Sequence, residues 1–321
     1  MTGARHGCPV LAALQSNLGP IARSGSPDPA HPVDLAGDLA SEPPSVHAPR
    51  VIVAYSGGLD STVLLDACVR TLGSQRVIAA HVHHGLQEEA EAWAEHCRAQ
   101  SHVRGVRFEC LRLGRAQPAG EGLEAWARTE RYRALWALVL EERGAALLTA
   151  HHADDLAETL LMRLARGTGL DGLADALPGE AQLSDGRLLL RPLIQLTREQ
   201  LLHYARERML EWIDDPMNRD PRFGRVAFRE AVMPGLRAAA PDAVRQFARA
   251  QNLLARAQAE LDGLAAGDLE CARLPTAAQA PPALDRRVIG RLSPFRQAQL
   301  FRHWWRQLAG GQGARMPSEA Q

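Results

Sequence analysis

The chain has 321 residues, 46% of them hydrophobic, which is enough to bury a full core and too many for one small domain. Its 37 basic residues balance 37 acidic ones and every one is arginine, so net charge points to no polyanionic partner, and a Walker lysine, a Schiff-base lysine and a lysine general base are excluded together. Five scattered cysteines (Cys8, Cys68, Cys97, Cys110, Cys271) with no Cys-x-x-Cys spacing argue against a zinc ribbon, a disulfide framework or an iron–sulfur cluster, and suit a reducing compartment. No apolar run approaches the roughly 20 residues of a membrane span, and the N-terminus lacks the basic and apolar segments of a signal peptide. A cytoplasmic chain with no membrane partner is expected.

Residues 1–49, rich in Pro, Ser, Gly and Ala with little apolar periodicity, read as a disordered extension, 24–49 above all. From residue 50 the pattern alternates. Strands are predicted over 51–55, 77–83, 106–111 and 145–150, and helices over 61–72, 88–102, 123–143 and 154–166, with Gly73, Gly105 and Gly144 where helices would end. Such alternation means parallel strands joined by right-handed crossovers, with helices on both faces. Residues 167–186 are too long for a plain connection, and a lid is one reading of them. A last strand over 188–194 and helices over 197–209, 226–239 and 241–264 follow; a proline-rich linker over 274–282, a short helical region with Trp304 and Trp305, and a polar tail over 310–321 end the chain. The expected fold class is α/β: a doubly wound parallel sheet over 50–195, then a smaller all-helical domain over 196–272, then residues 273–321.

The most informative stretch is Ser56-Gly57-Gly58-Leu59-Asp60-Ser61, placed between the first strand and the first helix of the sheet domain. Strand, glycine turn and helix aim backbone N–H groups and a helix N-terminus at an anion, and Ser56, Ser61 and Thr62 add hydroxyl donors. Neither Gly-x-x-x-x-Gly-Lys-Ser/Thr nor Gly-x-Gly-x-x-Gly stands here. The six residues are similar to the Ser-Gly-Gly-x-Asp-Ser signature of the PP-loop ATP pyrophosphatases, which split ATP between the α and β phosphates. The plain alternative is a glycine turn with Asp60 as an N-cap.

Ligands in open α/β sheets bind beyond the carboxyl ends of the strands. The glycine loop lies at one such end, His81, His83 and His84 at a second, and His151 and His152 at another. In His151-His152-Ala153-Asp154-Asp155-Leu156-Ala157-Glu158-Thr159, helical spacing puts His151, Asp155 and Glu158 on one face. Carboxylates there suit Mg²⁺ on a triphosphate better than zinc, with Asp154 free to serve as an N-cap. Arg128 and Arg131 share a helix face, where guanidinium forks could hold phosphates of ATP or RNA or form a solvated salt-bridged surface. Residues 219–256 hold eight arginines, Arg222, Arg225 and Arg229 among them, against three acids. That is either the electrostatic footprint of nucleic acid or a solvated helical surface.

Together these motifs resemble the bacterial tRNA(Ile)-lysidine synthase family over residues 50–264. The likeness is carried by Ser56–Ser61, His81-Val82-His83-His84-Gly85-Leu86, Glu124-Ala125-Trp126-Ala127-Arg128 with Arg131-Tyr132, and His151–Thr159. It continues through Arg166-Gly167-Thr168-Gly169, Arg191-Pro192-Leu193 and Asp214-Asp215-Pro216-Met217-Asn218. The resemblance implies ATP and Mg²⁺ as cofactors, and tRNA(Ile) with a CAU anticodon and free L-lysine as substrates. The wobble cytidine is adenylated on its C2 oxygen with release of pyrophosphate, and lysine then attacks C2 and expels AMP. It implies that Ser56, Gly57, Gly58, Leu59, Asp60 and Ser61 bind the nucleotide and that Asp60 and Asp155 hold the metal. Asp60, Arg131, His151 and Asp155 become the catalytic set, and Arg128, Arg222, Arg225 and Arg229 contact tRNA. A homodimer is compatible with it.

Two departures stand out. Many members of the family carry Arg-Asn where Arg225-Val226 stands here. Met316-Pro317-Ser318 resembles the start of the family's C-terminal part, which grips the tRNA acceptor end, so the resemblance implies either a truncated protein or one that binds tRNA without that part. Two alternatives are a tRNA cytidine 2-sulfurtransferase of the same superfamily, which uses paired cysteines, and a non-catalytic ATP- or RNA-binding remnant.

Overall fold

A computed structural model describes residues 8–23, 49–85, 89–114, 123–175, 180–182, 188–214, 224–275 and 282–308. The expected extension over 24–48, most of the linker over 274–282, the tail, parts of the 167–186 segment, Leu86, Asp215–Asn218, and Arg219 and Arg222 lie outside the described residues. In chain order the elements are α1 (Pro9–Arg23), β1 (Val51–Ala54), α2 (Leu59–Leu72), β2 (Val77–His83), α3 (Ala90–Val103), β3 (Arg107–Arg112), α4 (Leu123–Glu141), β4 (Ala146–Leu148) and α5 (Ala153–Ala165). Then come α6 (Leu170–Ala174), β5 (Glu180–Gln182), β6 (Leu188–Leu190), α7 (Arg198–Glu207), α8 (Gly224–Ala231), α9 (Met233–Ala239), α10 (Ala243–Ala272), α11 (Arg286–Ile289) and α12 (Pro294–Leu308). The chain divides into two compact units, residues 1–162 with 177–248, and residues 163–176 with 249–321.

The first unit is the expected doubly wound sheet, with strand order β3-β2-β1-β4-β6-β5. Five strands run parallel, and β5 pairs antiparallel with β6 at the edge. Burial on both faces explains the unbroken apolar runs of β1 and β4. Successive side chains point to opposite faces, so Val51 and Val53 join a core with α1, α2 and α7, while Ile52 joins Ile78, Leu147 and the Leu135, Leu138 and Val139 stripe of α4. The order reverses at β1, whose neighbours are β2 on one side and β4 on the other. The crevice beyond the carboxyl ends of β1 and β4 is therefore the switch point at which such sheets bind ligands.

Three differences from the sequence reading have physical causes. The first is α1, which occupies part of the expected irregular extension. Val10, Leu14, Leu18 and Ile21 are all buried, a helical stripe that the Gly19-Pro20 pair masks as a pattern. The Arg76 guanidinium satisfies the Ile21 carbonyl at 3.0 Å. Second, the helix expected over 226–239 is two helices, α8 and α9, with proline in the first turn of α9, where its missing N–H is tolerated. Third, β5 falls in the 167–186 segment, and three residues are too few to show a period.

The second unit contains α6, α11, α12 and most of α10. Leu269, Ala272 and Leu300 form its small core. Arg296 pairs with Asp268, and Arg306 with Asp262 at 2.8 Å. Among the described residues no helix is long and apolar enough to cross a membrane.

Candidate active site

The glycine loop follows β1 directly. Gly57 has φ +84, which L side chains rarely adopt, and a Cβ there would stand 2.8 Å from both Cys97 Sγ and Ile213 Cδ1. From behind, Ile213 donates its N–H to the Gly57 carbonyl at 2.8 Å, and Thr62 Oγ1 donates to the same carbonyl at 3.3 Å. Ser61 Oγ accepts from Ser56 N–H at 3.2 Å and donates to Gly58 O at 3.0 Å, while the two serine hydroxyls meet at 3.0 Å. No side chain caps α2, whose N-cap residue is Gly58. Its first-turn N–H groups and the positive end of its dipole remain to face an anion.

Opposite, at the end of β4, begins α5. His152 is almost completely buried, and its ring lies among three carboxylates: Nε2 is 3.5 Å from Asp60 Oδ2 and 3.5 Å from Asp155 Oδ2, and Nδ1 is 3.5 Å from Asp154 Oδ2. Burial opposes its charge, yet the carboxylates, Asp155 foremost, push its pKa up to about 10. His152 also donates its backbone N–H to Asp155 at 3.0 Å. Asp154 faces away from the loop; it accepts the Arg198 N–H at the start of α7 at 2.7 Å and pairs with Arg237 of α9. Burial works against the Asp154 charge too, but His152 and these donors hold its carboxyl well below the usual range. Its role is to tie α5 to α7 and α9.

His151 behaves oppositely. Its Nδ1 meets Thr149 Oγ1 at 2.9 Å. Burial, then the charges of Arg191, Arg225 and Arg128, outweigh Asp155 and lower its pKa to about 3. It is a neutral imidazole at physiological pH. Asp155 is held ionised in spite of burial, chiefly by His152 and Arg225.

The arginines fall into two groups. Arg225 and Arg229 are committed to acids: Arg229 Nε lies 2.7 Å and Arg225 Nε 3.2 Å from the carboxylate of Glu158, which is wholly buried, and each lies 3.6 Å from Asp155 Oδ1. Arg225 also donates to the Asp155 carbonyl and to Thr159 Oγ1, both at 3.0 Å. Arg128 and Arg131 on α4 instead lie over the Tyr132 ring, at 5.2 and 5.7 Å. Burial lowers the pKa of Arg131; Tyr132 opposes this, and Arg128 and Arg225 add to it. A half-buried cation among like charges, with no carboxylate partner among the described residues, is prepared for an incoming anion. His84, near Arg131, is lowered to about 4, first by burial and then by that guanidinium.

The structure thus brings Asp60 and Asp155 to one point and sets His151 beside them, with the charges of Arg128 and Arg225 acting on both His151 and Arg131. Sequence reasoning assigned no role to His152, Glu158 or the buried Arg191. The His151–Thr159 motif was the signal for the first two, but which of two adjacent histidines turns inward depends on the strand end.

Among the described residues no three metal-ligating side chains converge into a cage. Asp60 Oδ1, however, is buried and has no hydrogen-bond partner among the described residues, and Asp155 stands across the same imidazole. One or two carboxylates beside a phosphate cradle fit a magnesium ion that arrives on a nucleotide.

A parallel sheet with a glycine loop and paired aspartates at its switch point defines an ATP-binding protein of the PP-loop class. A PP-loop domain profile matches residues 35–236, and the chain belongs to that family. It is 42% identical over 268 residues to tRNA(Ile)-lysidine synthase of Burkholderia pseudomallei, covering 83% of this chain and 54% of the relative. It is 45% identical to the synthases of Alkalilimnicola ehrlichii (85% of this chain, 59% of the relative) and Pseudomonas aeruginosa (80% and 58%). The chain therefore spans somewhat more than half the length of these relatives. A U34-tRNA thiolase from Methanococcus maripaludis shares the fold at TM-score 0.59 and 16% identity, over 77% of this chain and 78% of that one. Cys97 here is fully buried, and burial pushes its thiol up to about 12, far from a reactive thiolate.

Proposed function

We propose that this chain carries the catalytic part of a tRNA(Ile)-lysidine synthase, which joins lysine to C2 of the wobble cytidine of CAU-anticodon tRNA(Ile) at the expense of ATP. The observation that carries this reading is the meeting of Asp60, from the glycine loop, with Asp155, from α5, across His152 at the switch point. The 42–45% identity to lysidine synthases over most of the chain supports this choice of substrate. A reaction on tRNA would be carried out in the cytoplasm.

In the first step the cytidine C2 oxygen forms a bond to the α-phosphorus of ATP and the bond to the β-phosphate breaks, releasing pyrophosphate. In the second, an amine of free lysine bonds to C2; the C2–O bond breaks, AMP leaves with the oxygen, and the amine gives up a proton. Adenylation makes a poor leaving group a good one. The first-turn N–H groups of α2 and the Ser56 and Ser61 hydroxyls would cradle the departing phosphates. Asp60 and Asp155 would hold a divalent cation, which when bound would supply charge neutralisation for the pyrophosphate. Arg131 would stabilise the anionic reacting group, and neutral His151 can accept a hydrogen bond from the substrate amine. The cytidine must be splayed out of the anticodon loop to reach this crevice, as read bases of single-stranded RNA usually are. Arg128, exposed on α4, and the arginine-rich 219–256 region would contact the RNA backbone.

ATP–pyrophosphate exchange in the presence of the CAU tRNA tests the first half-reaction and labelled-lysine transfer the second. Exchange without lysine transfer would place the chain in another adenylating branch of the superfamily.

A further inference from the structure

We propose that His152 is a positioning residue: through Nε2 it sets the carboxylates of Asp60 and Asp155 in the arrangement in which both reach the divalent cation of a metal–nucleotide complex. The two aspartates come from different elements, Asp60 from the first turn of α2 and Asp155 from the first turn of α5. Like charges approaching from two sides would part unless something between them holds both. Nε2 stands 3.5 Å from an oxygen of each. The ring has no freedom to turn away, because it is 2% exposed, its Nδ1 side faces Asp154, and Asp154 is anchored in turn by the Arg198 N–H and by Arg237.

Each carboxylate keeps an oxygen away from the ring. Asp60 Oδ1 is buried and unpartnered among the described residues, and Asp155 Oδ1 faces Arg225 and Arg229 at 3.6 Å. The neighbouring His151 is turned elsewhere, its Nδ1 meeting Thr149 Oγ1 at 2.9 Å. Outer groups that orient ligating carboxylates commonly matter as much to a metal site as the ligands do.

The inference rests on the PP-loop nucleotide reading and not on lysine transfer, so its test uses neither tRNA nor lysine. The probe is Mn²⁺ in the presence of ATP, with free Mn²⁺ followed by electron paramagnetic resonance. A glutamine amide reaches about the position of Nε2, whereas an asparagine amide reaches only that of Nδ1. His152→Gln should bind Mn²⁺–ATP within about threefold of the unmodified chain, and His152→Asn should bind at least roughly tenfold more weakly. Should His152→Asn not fold, Asp154→Asn takes its place; it keeps an acceptor for the Arg198 N–H but loosens the ring at Nδ1, and several-fold weakening is expected. Equal weakening in the Gln and Asn variants, undiminished binding in His152→Asn or Asp154→Asn, or no Mn²⁺–ATP binding by the unmodified chain overturns the proposal. Mn²⁺–ATP binding with the expected order of variants, but no lysine transfer, would instead leave it standing and remove the synthase reading.

Discussion

Ile213 donates its backbone N–H to the carbonyl of Gly57 at 2.8 Å. This bond fastens the nucleotide loop to a segment that follows α7, more than a hundred residues later in the chain. The Ile213 side chain and Cys97 fill the space where a Cβ on residue 57 would stand. Gly57→Ala therefore meets both a left-handed backbone and a collision. It should destabilise the protein by about 1–3 kcal/mol and raise the KM for ATP in pyrophosphate exchange. Gly85→Ala is the control, because Gly85 has φ +69 but nothing among the described residues within 4 Å of the added Cβ; it should incur the backbone cost and leave nucleotide binding intact.

Glu158 is buried beneath Arg225 and Arg229. Glu158→Ala leaves two part-buried guanidinium groups with only Asp155, at 3.6 Å, to face and should lower stability by a few kcal/mol, up to roughly 3–5, in urea denaturation. Arg225→Ala and Arg229→Ala should lower stability and tRNA affinity together, since both side chains are structural partners of α5. Arg128 is exposed and lies over the Tyr132 ring, so Arg128→Ala should weaken tRNA binding with a stability change within about 0.5 kcal/mol. Measuring melting and tRNA affinity on the same variants separates the two groups.

The two adjacent histidines give opposite pH dependences. His152 has a folded pKa of about 10, above the value of roughly 6.5 for an unfolded histidine. The folded state therefore binds the proton more tightly, and this contribution is complete below about pH 6.5 and is lost as pH rises toward 10. Unfolding free energy should fall across that window by on the order of a few kcal/mol, and the fall should flatten in His152→Gln.

His151 is depressed to about 3, so it stays neutral in the folded protein while the unfolded chain takes up a proton below about pH 6.5. Its contribution is present above that pH and is lost as pH falls toward 3. The rate of lysine transfer should accordingly show no limb near pH 6.5 from His151. A pH–rate profile checks this, and a His151-dependent limb at that pH would contradict the neutral imidazole seen here.

Leu14 and Leu18 of α1 are fully buried in the core shared with α2 and α7. Leu14→Ala should destabilise by about 2–5 kcal/mol, measured by thermal or denaturant unfolding. A change within 0.5 kcal/mol, the usual range of a surface substitution, would show that α1 does not pack as described.

How far the sequence alone reached is clearest at particular residues. The glycine loop was legible because apolar strand, Gly57-Gly58 and helix are adjacent in the chain and each has a strong local signal. Helix α1 was not, because its buried stripe is short and Gly19-Pro20 interrupts it as a pattern. The Asp155–Glu158 spacing showed a shared helix face, but not that Glu158 would be covered by arginines from α8. Nor could it show that His152 would turn inward toward Asp60 while His151 turned to Thr149. Those are contacts between segments far apart in the chain, and no local pattern encodes them.

On the reading proposed above, Asp60 and Asp155 serve one reacting centre that activates a tRNA cytidine for attack by lysine. Incorporation of radiolabelled lysine into CAU-anticodon tRNA(Ile), with ATP and Mg²⁺, tests it most directly. Incorporation should require both ATP and the metal and should be lost in Asp60→Asn and in Asp155→Asn. Absence of incorporation together with absence of ATP–pyrophosphate exchange would contradict it, and incorporation that survives both substitutions would show that these two aspartates are not the metal-holding pair.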